Sequence, residues 1–245
     1  MPKVIERMEL DYVVGPYVRQ FCGPIFFTNS LQVPNASANG SFGLVDTGRK
    51  KLLVTCHHAW EEFQVARHNQ PNLQMCLCLD QGPPVVFAPS SPIAEDPRLD
   101  IATFDMKALL AACVGRKFYP LMQKRPRKVL AGDGLFFIGF PGRMRRIEHG
   151  AIVFGRAPFA VHLCSADSWH IQSDISKLAM TPDEFGGISG CPCFLLRPGK
   201  RTVMAGAGEA TTVQLVGFAT SVLFGRYLSF THASCLNGDG TINAQ

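Results

Sequence analysis

The stretch Phe185-Gly186-Gly187-Ile188-Ser189-Gly190-Cys191-Pro192 sets a serine between glycines, with apolar strand-like sequence on either side. Two glycines ahead of the hydroxyl open backbone angles closed to other residues, so successive N–H groups can turn toward one point. Gly190 lets a substrate chain come close, and Pro192 fixes φ as the chain leaves the turn. A serine hydroxyl is a weak nucleophile until a base takes its proton. Two upstream stretches supply candidates. Val54-Thr55-Cys56-His57-His58-Ala59 carries histidine at the end of an apolar run, and Leu99-Asp100-Ile101-Ala102 carries an acid entering another.

Thr55-Cys56-His57-His58-Ala59, Asp100-Ile101-Ala102 and Gly187-Ile188-Ser189-Gly190-Cys191-Pro192 resemble the three signature segments of trypsin-like (chymotrypsin-fold) serine proteases. The likeness is closer to bacterial HtrA-like or viral-type members than to secreted zymogens. The order His, Asp, Ser is that of the chymotrypsin architecture, not of subtilisins or α/β-hydrolases. Separations of 42 and 89 residues suit one β-barrel carrying His58 and Asp100 and a second carrying Ser189. Gly132-Asp133-Gly134-Leu135-Phe136-Phe137-Ile138-Gly139-Phe140-Pro141-Gly142 is similar to the strand that opens the second barrel in bacterial relatives. The likeness spans roughly residues 22–235.

The resemblance implies an all-β fold of two barrels with the site at their interface. Residues 1–118 would form an arm and the first barrel, and 119–245 a linker and the second. It implies a serine endopeptidase acting on a protein or peptide through an acyl-enzyme. His58 takes the Ser189 proton and returns it to the leaving amine, Asp100 holds the imidazole, and the N–H groups of Gly187 and Ser189 hold the oxyanion. The family pattern, Thr followed by two residues and then His, selects His58 over His57. Neighbours in an extended segment point oppositely, so His57 is expected to pack behind the site. Ile188 departs from zymogen-activated members, which carry an aspartate there to receive a new amino terminus. No amino-terminal cleavage is therefore expected, and control falls instead to a regulatory protein partner that orders the loop. Asp183, six residues before Ser189, takes the place of the S1-pocket acid that favours Arg or Lys at P1; its alternative is a solvated loop acid. Thr220, in Val216-Gly217-Phe218-Ala219-Thr220-Ser221, is expected to reach Asp100 and the substrate backbone. No cofactor is implied.

Spacing removes several rivals. Position 191 is Cys, not the Gly of a Gly-x-Ser-x-Gly elbow. Cys76-x-Cys78 and Cys191-x-Cys193 lack Cys-x₂-Cys zinc spacing, so no metal is expected. Two other classes remain: a catalytically silent protease-fold module that binds peptides, and a nucleic-acid binder using the basic clusters. The net charge of +5 is modest and its clusters read as solvated linker and loop tips, so nucleic acid is not the expected partner.

At 245 residues the chain can bury a substantial core. No apolar run reaches membrane-spanning length, so no membrane is expected, and the first residues have no signal-peptide h-region. Nine cysteines, an odd number without regular spacing, read as reduced thiols in a cytoplasmic protein.

The elements that must position the site read as short strands broken by Gly and Pro. Residues 1–20 read as an arm packing on the first barrel, and 28–43 as a turn-rich exposed loop. A hairpin over Ser41–Asp46 and Lys51–Thr55 delivers His58, with a short helical turn behind it over residues 59–63. Strands are expected at 73–79, 85–87, 101–104, 135–140, 151–154, 161–164, 170–172, 193–196, 202–205 and 213–219. Residues 107–114 have helix-compatible composition, 115–128 read as the connection between barrels, and 226–235 fit helix or strand.

Overall fold

Strand β1 (Cys22–Thr28) is buried along its whole length, which is what a strand covered on both faces requires. The computed structural model describes residues 11–30, 39–79, 83–89, 91–113, 115–121, 128–148, 151–176, 178, 185–198, 211–223 and 225–243. On one side β1 pairs antiparallel with β2 (Asn39–Asp46), and on the other with β4 (Gln74–Leu77). The predicted hairpin forms between β2 and β3 (Lys51–Thr55), closed by Thr47, whose N–H donates to the Lys50 carbonyl and whose hydroxyl accepts the Lys50 N–H. With β5 (Val85–Phe87), β6 (Ala94–Asp96), β7 (Ile101–Asp105) and β8 (Tyr119–Pro120) these make an eight-stranded sheet.

The other half begins at β9 (Gly134–Gly139). β10 (Arg145–Glu148) and β11 (Ala151–Phe154) form a side hairpin. β9 closes a six-stranded barrel with β12 (Ala157–Ala166), β13 (His170–Asp174), β14 (Pro192–Pro198), β15 (Thr211–Leu223) and β16 (Tyr227–His232). The fold is all-β with two barrel units, the second closed by hydrogen bonds and the first a half-barrel among the described residues.

Three large apolar clusters, with a small fourth of Phe26, Cys76 and Ile152, hold this together. One fills the first unit with Phe42, Leu44, Trp60, Phe63 and Phe104; another fills the second with Phe137, Phe159, Ile188 and Phe230. The third lies at the seam and draws Val45, Leu52 and Tyr119 from one side, and Phe136, Phe194 and Leu215 from the other. Val14, Val18 and Phe21 of the arm enter it through the helical turn α1 (Gly15–Val18) and the tighter turn that follows. Tyr119 meets Phe21 and Phe194 edge-on at 5.5 and 5.6 Å, a favoured aromatic geometry.

Several expectations need correcting. The arm packs into the seam rather than on the first unit alone. Residues 39–43 are strand, and Gly40, Ser41, Phe42 and Gly43 are buried, not exposed loop. The turn behind the histidine is a helix of 13 residues, α2 (His57–Asn69), because Trp60 and Phe63 gain burial against Phe104 and Phe27. The connection between units starts inside the first sheet, where β8 runs parallel to β2. The chain after β16 returns to that sheet: Thr47 and Thr103 hydroxyls donate to the Gly238 and Gly240 carbonyls at 2.6 and 2.7 Å. Residues 226–235 resolve as strand β16 and a short 3₁₀ turn. The strand expected at 202–205 lies outside the described residues.

Candidate active site

The strand-to-helix passage at the end of β3 places His58. Cys56 is the extended N-cap of α2 and offers no side-chain cap. The free N–H of His58 instead donates to Asp100 Oδ1 at 2.9 Å, while His58 Nδ1–H donates to Asp100 Oδ2 at 2.8 Å. One carboxylate therefore caps the helix and clamps the imidazole, with its charge at the positive end of the helix dipole. Asp100 reaches this position at φ 49°, in the left-handed region where Asp is among the few side chains tolerated. The turn before it is fixed by Asp96 Oδ1, which accepts the N–H groups of Arg98 and Leu99.

Asp100 holds the imidazolium form and raises the His58 pKa well above its ordinary 6.5; the Cys56 contact acts the same way and burial opposes both. Nε2 faces Cys56 Sγ at 3.4 Å. His57 turns elsewhere, with Nε2 3.4 Å from Glu95 Oε2. The two histidines diverge because they open a helix, not because the segment is extended.

Ser189 sits in a turn whose peptide planes are pinned one by one. The Gly186 carbonyl accepts from Gly142 N–H at 2.8 Å, and that of Ile188 from Cys191 N–H at 3.0 Å. In a trans peptide the N–H opposes the preceding C=O, so the N–H groups of Gly187 and Ser189 point away from these partners. Neither donates to any acceptor among the described residues. Strand β2 of the other unit braces the turn: Ser41 Oγ donates to the Gly187 carbonyl and Ser41 N–H to the Ser189 carbonyl, both at 2.8 Å. Ser41→Ala is expected to lower kcat about 10-fold or more with little change in KM, since a loosened donor loses transition-state stabilisation first. Steady-state kinetics on a peptide substrate measure this.

Gly190 has φ +91°, and a Cβ there would overlap the Ser41 carbonyl. Gly190→Ala is expected to destabilise the fold by more than about 2 kcal/mol, read as a lower urea midpoint. Ile188 is 2% exposed and packs in the second-unit core against Gly139, so the turn is anchored by apolar burial rather than an ion pair.

His58, Gly187 and Ser189 line one cleft of about 360 Å³ with Asn39, Glu62 and Arg143. Ser189 Oγ donates to the Thr220 carbonyl at 3.0 Å. This contact was not legible in the sequence; it arises where the β15–β16 register shifts between Ala219 and Val222, taking Thr220 out of the ladder. The Thr220 hydroxyl donates to the Ser229 carbonyl at 3.1 Å rather than to Asp100, which corrects the expected contact with that carboxylate, and the Thr220 main-chain carbonyl accepts from Ser189 Oγ. Asp183 lies outside the described residues.

The described residues form a mostly β chain with one closed six-stranded barrel and one half-barrel sheet. No protein-family model and no curated protein matches the sequence. Among solved structures, Deg5 is similar at 14% identity and a TM-score of 0.49, covering 92% of this chain and 90% of that one. A thermostable serine protease, AL20, from an extremophilic microorganism is similar at 13% identity and a TM-score of 0.47, covering 87% and 91%.

Proposed function

We propose that the chain is a serine endopeptidase, with Ser189 as nucleophile, His58 as general base and acid, and Asp100 as the group that orients His58. The observation that carries this is the clamp of Asp100 on His58, opening onto the cleft that Gly187 and Ser189 also line, their N–H groups having no acceptor among the described residues. Ser189 Oγ attacks the peptide carbonyl as its proton passes to Nε2. The C–N bond then breaks, and the amine leaves with that proton. Water repeats the sequence on the ester, and the N–H groups of Gly187 and Ser189 receive the oxyanion in both halves. For this, Ser189 must turn from Thr220 and His58 from Cys56, a tightening common when substrate enters.

The burial of Ile188 supports activity without amino-terminal cleavage. A chain with Met1 intact that stays inert until clipped upstream of residue 30 overturns that part. Preference for Arg or Lys at P1 rests on Asp183; an unchanged cleavage profile in Asp183→Ser overturns it. Nine free cysteines fit a reducing compartment, and no helix among the described residues is long and apolar enough to cross a membrane.

The resting hydrogen bond from Ser189 to Thr220 favours a second reading, a module that binds peptides without cutting. A fluorophosphonate probe separates the two. Covalent labelling located at Ser189 supports the enzyme, and peptide binding without labelling supports the module.

A further inference from the structure

Cys56 is 1% exposed, yet its sulfur is the partner that His58 Nε2 faces in this structure. Among the described residues, Cys56, His58 and Asp100 present ligand atoms within 4.8 Å of one another. With Zn–S near 2.3 Å and Zn–N near 2.0–2.1 Å, a tetrahedral zinc separates its sulfur and nitrogen ligands by about 3.5 Å. The observed separation is 3.4 Å. Asp100 on Nδ1 completes the carboxylate–histidine–metal arrangement that fixes ring orientation and leaves the Nε2 lone pair for a cation. The imidazole is 42% exposed and opens on the cleft, from which water can fill the remaining positions.

We propose that Cys56 Sγ and His58 Nε2 form a binding site for a thiophilic divalent cation of the zinc type, whose occupancy silences the base. On binding, the Cys56 thiol and the protonated Nε2 of His58 each give a proton to solvent, metal–sulfur and metal–nitrogen bonds form, and two metal-bound waters leave. The lone pair that would take the Ser189 proton is then engaged, so metal and turnover exclude each other. The inhibitory consequence rests on the protease reading; the site does not.

Cobalt(II) is the direct probe, because a cobalt–thiolate bond gives a near-ultraviolet charge-transfer band whether or not the protein cleaves peptides. The purified full chain is expected to develop this band with one equivalent of cobalt. Ser189→Ala should keep it, which separates failure of the protease reading from failure of the site. Cys56→Ala and His58→Ala should each lose it or bind at least about 10-fold more weakly. Zinc should inhibit peptide hydrolysis reversibly, with EDTA restoring it, and Cys56→Ala should need at least about 10-fold more zinc for the same inhibition. Absence of the band in the parent chain overturns the proposal. So does a band unchanged in both Cys56→Ala and His58→Ala, and His58→Ala decides alone if Cys56→Ala does not fold.

Discussion

Ser189→Ala is expected to lower kcat about 10⁶-fold, the scale of nucleophile removal in a comparable serine protease, while leaving the fold nearly untouched. The two parts have separate causes. Chemistry loses the only oxygen in the turn that can form the ester, and neither the clamp of Asp100 on His58 nor the two N–H groups can replace it. A residual enhancement of about 10³–10⁴ over water is what binding and oxyanion donors alone provide. Stability loses only one partly buried hydrogen bond, from Ser189 Oγ to the Thr220 carbonyl, about 0.5–1.5 kcal/mol. The backbone that shapes the turn is held by Ser41, Gly142 and Ala219 through main-chain groups of residues 186–190, which alanine retains. Single-turnover kinetics and urea unfolding read the two quantities. A variant that keeps more than about one-hundredth of the parental rate identifies another nucleophile and ends the assignment.

The residues of the candidate site and the elements around it differ in how far the sequence announced them. His58, Asp100 and Ser189 stand out in the sequence as candidates because each is embedded in backbone-specific neighbours: a strand ending, an acid entering an apolar run, and glycines around a hydroxyl. The β2–β3 hairpin was readable because Thr47-Gly48-Arg49 breaks two strand-like apolar runs, and Gly48 indeed has φ 81°. β1 was not marked as a strand, because burial on both faces erases alternation and Pro24 argues against a central position. The structure accommodates Pro24 opposite Ser41 of β2 and just before the β4 ladder begins at Ile25, where its carbonyl still accepts the Cys78 N–H at 3.1 Å. The length of α2 was hidden because its stability is tertiary, coming from Trp60 and Phe63 against strands distant in sequence. The Cys56–His58 contact depends on the bend between an extended residue and the first helical turn, which no periodicity encodes. The bracing of the serine turn by Ser41 is a contact across 146 residues, and local pattern says nothing of it.

Asp100→Asn is expected to reduce kcat about 10⁴-fold and to move the acidic limb of the pH profile downward. Asparagine is the informative replacement because it tolerates φ 49° and its oxygen can still accept the His58 backbone N–H. Its amide nitrogen then faces Nδ1, so that ring atom must accept and the proton moves to Nε2, the wrong tautomer for a base. The carboxylate is also the leading cause of the raised His58 pKa, ahead of Cys56, with burial opposing. Glu62 and Arg143 line the same cleft with opposite charges, and His57 pairs with Glu95 beyond it. Catalysis needs the neutral imidazole. A raised pKa in the parent keeps the base protonated to higher pH, so kcat/KM should climb with pH through a limb lying above 6.5. Removing the carboxylate withdraws the main stabiliser of the imidazolium, so the variant's limb should fall toward 6.5 even as its plateau drops. The two shifts are independent readouts of one contact, obtained from kcat/KM measured across pH for both proteins. A lower plateau with an unmoved limb means that Asp100 acts by holding the α2 terminus and not by facing the imidazole.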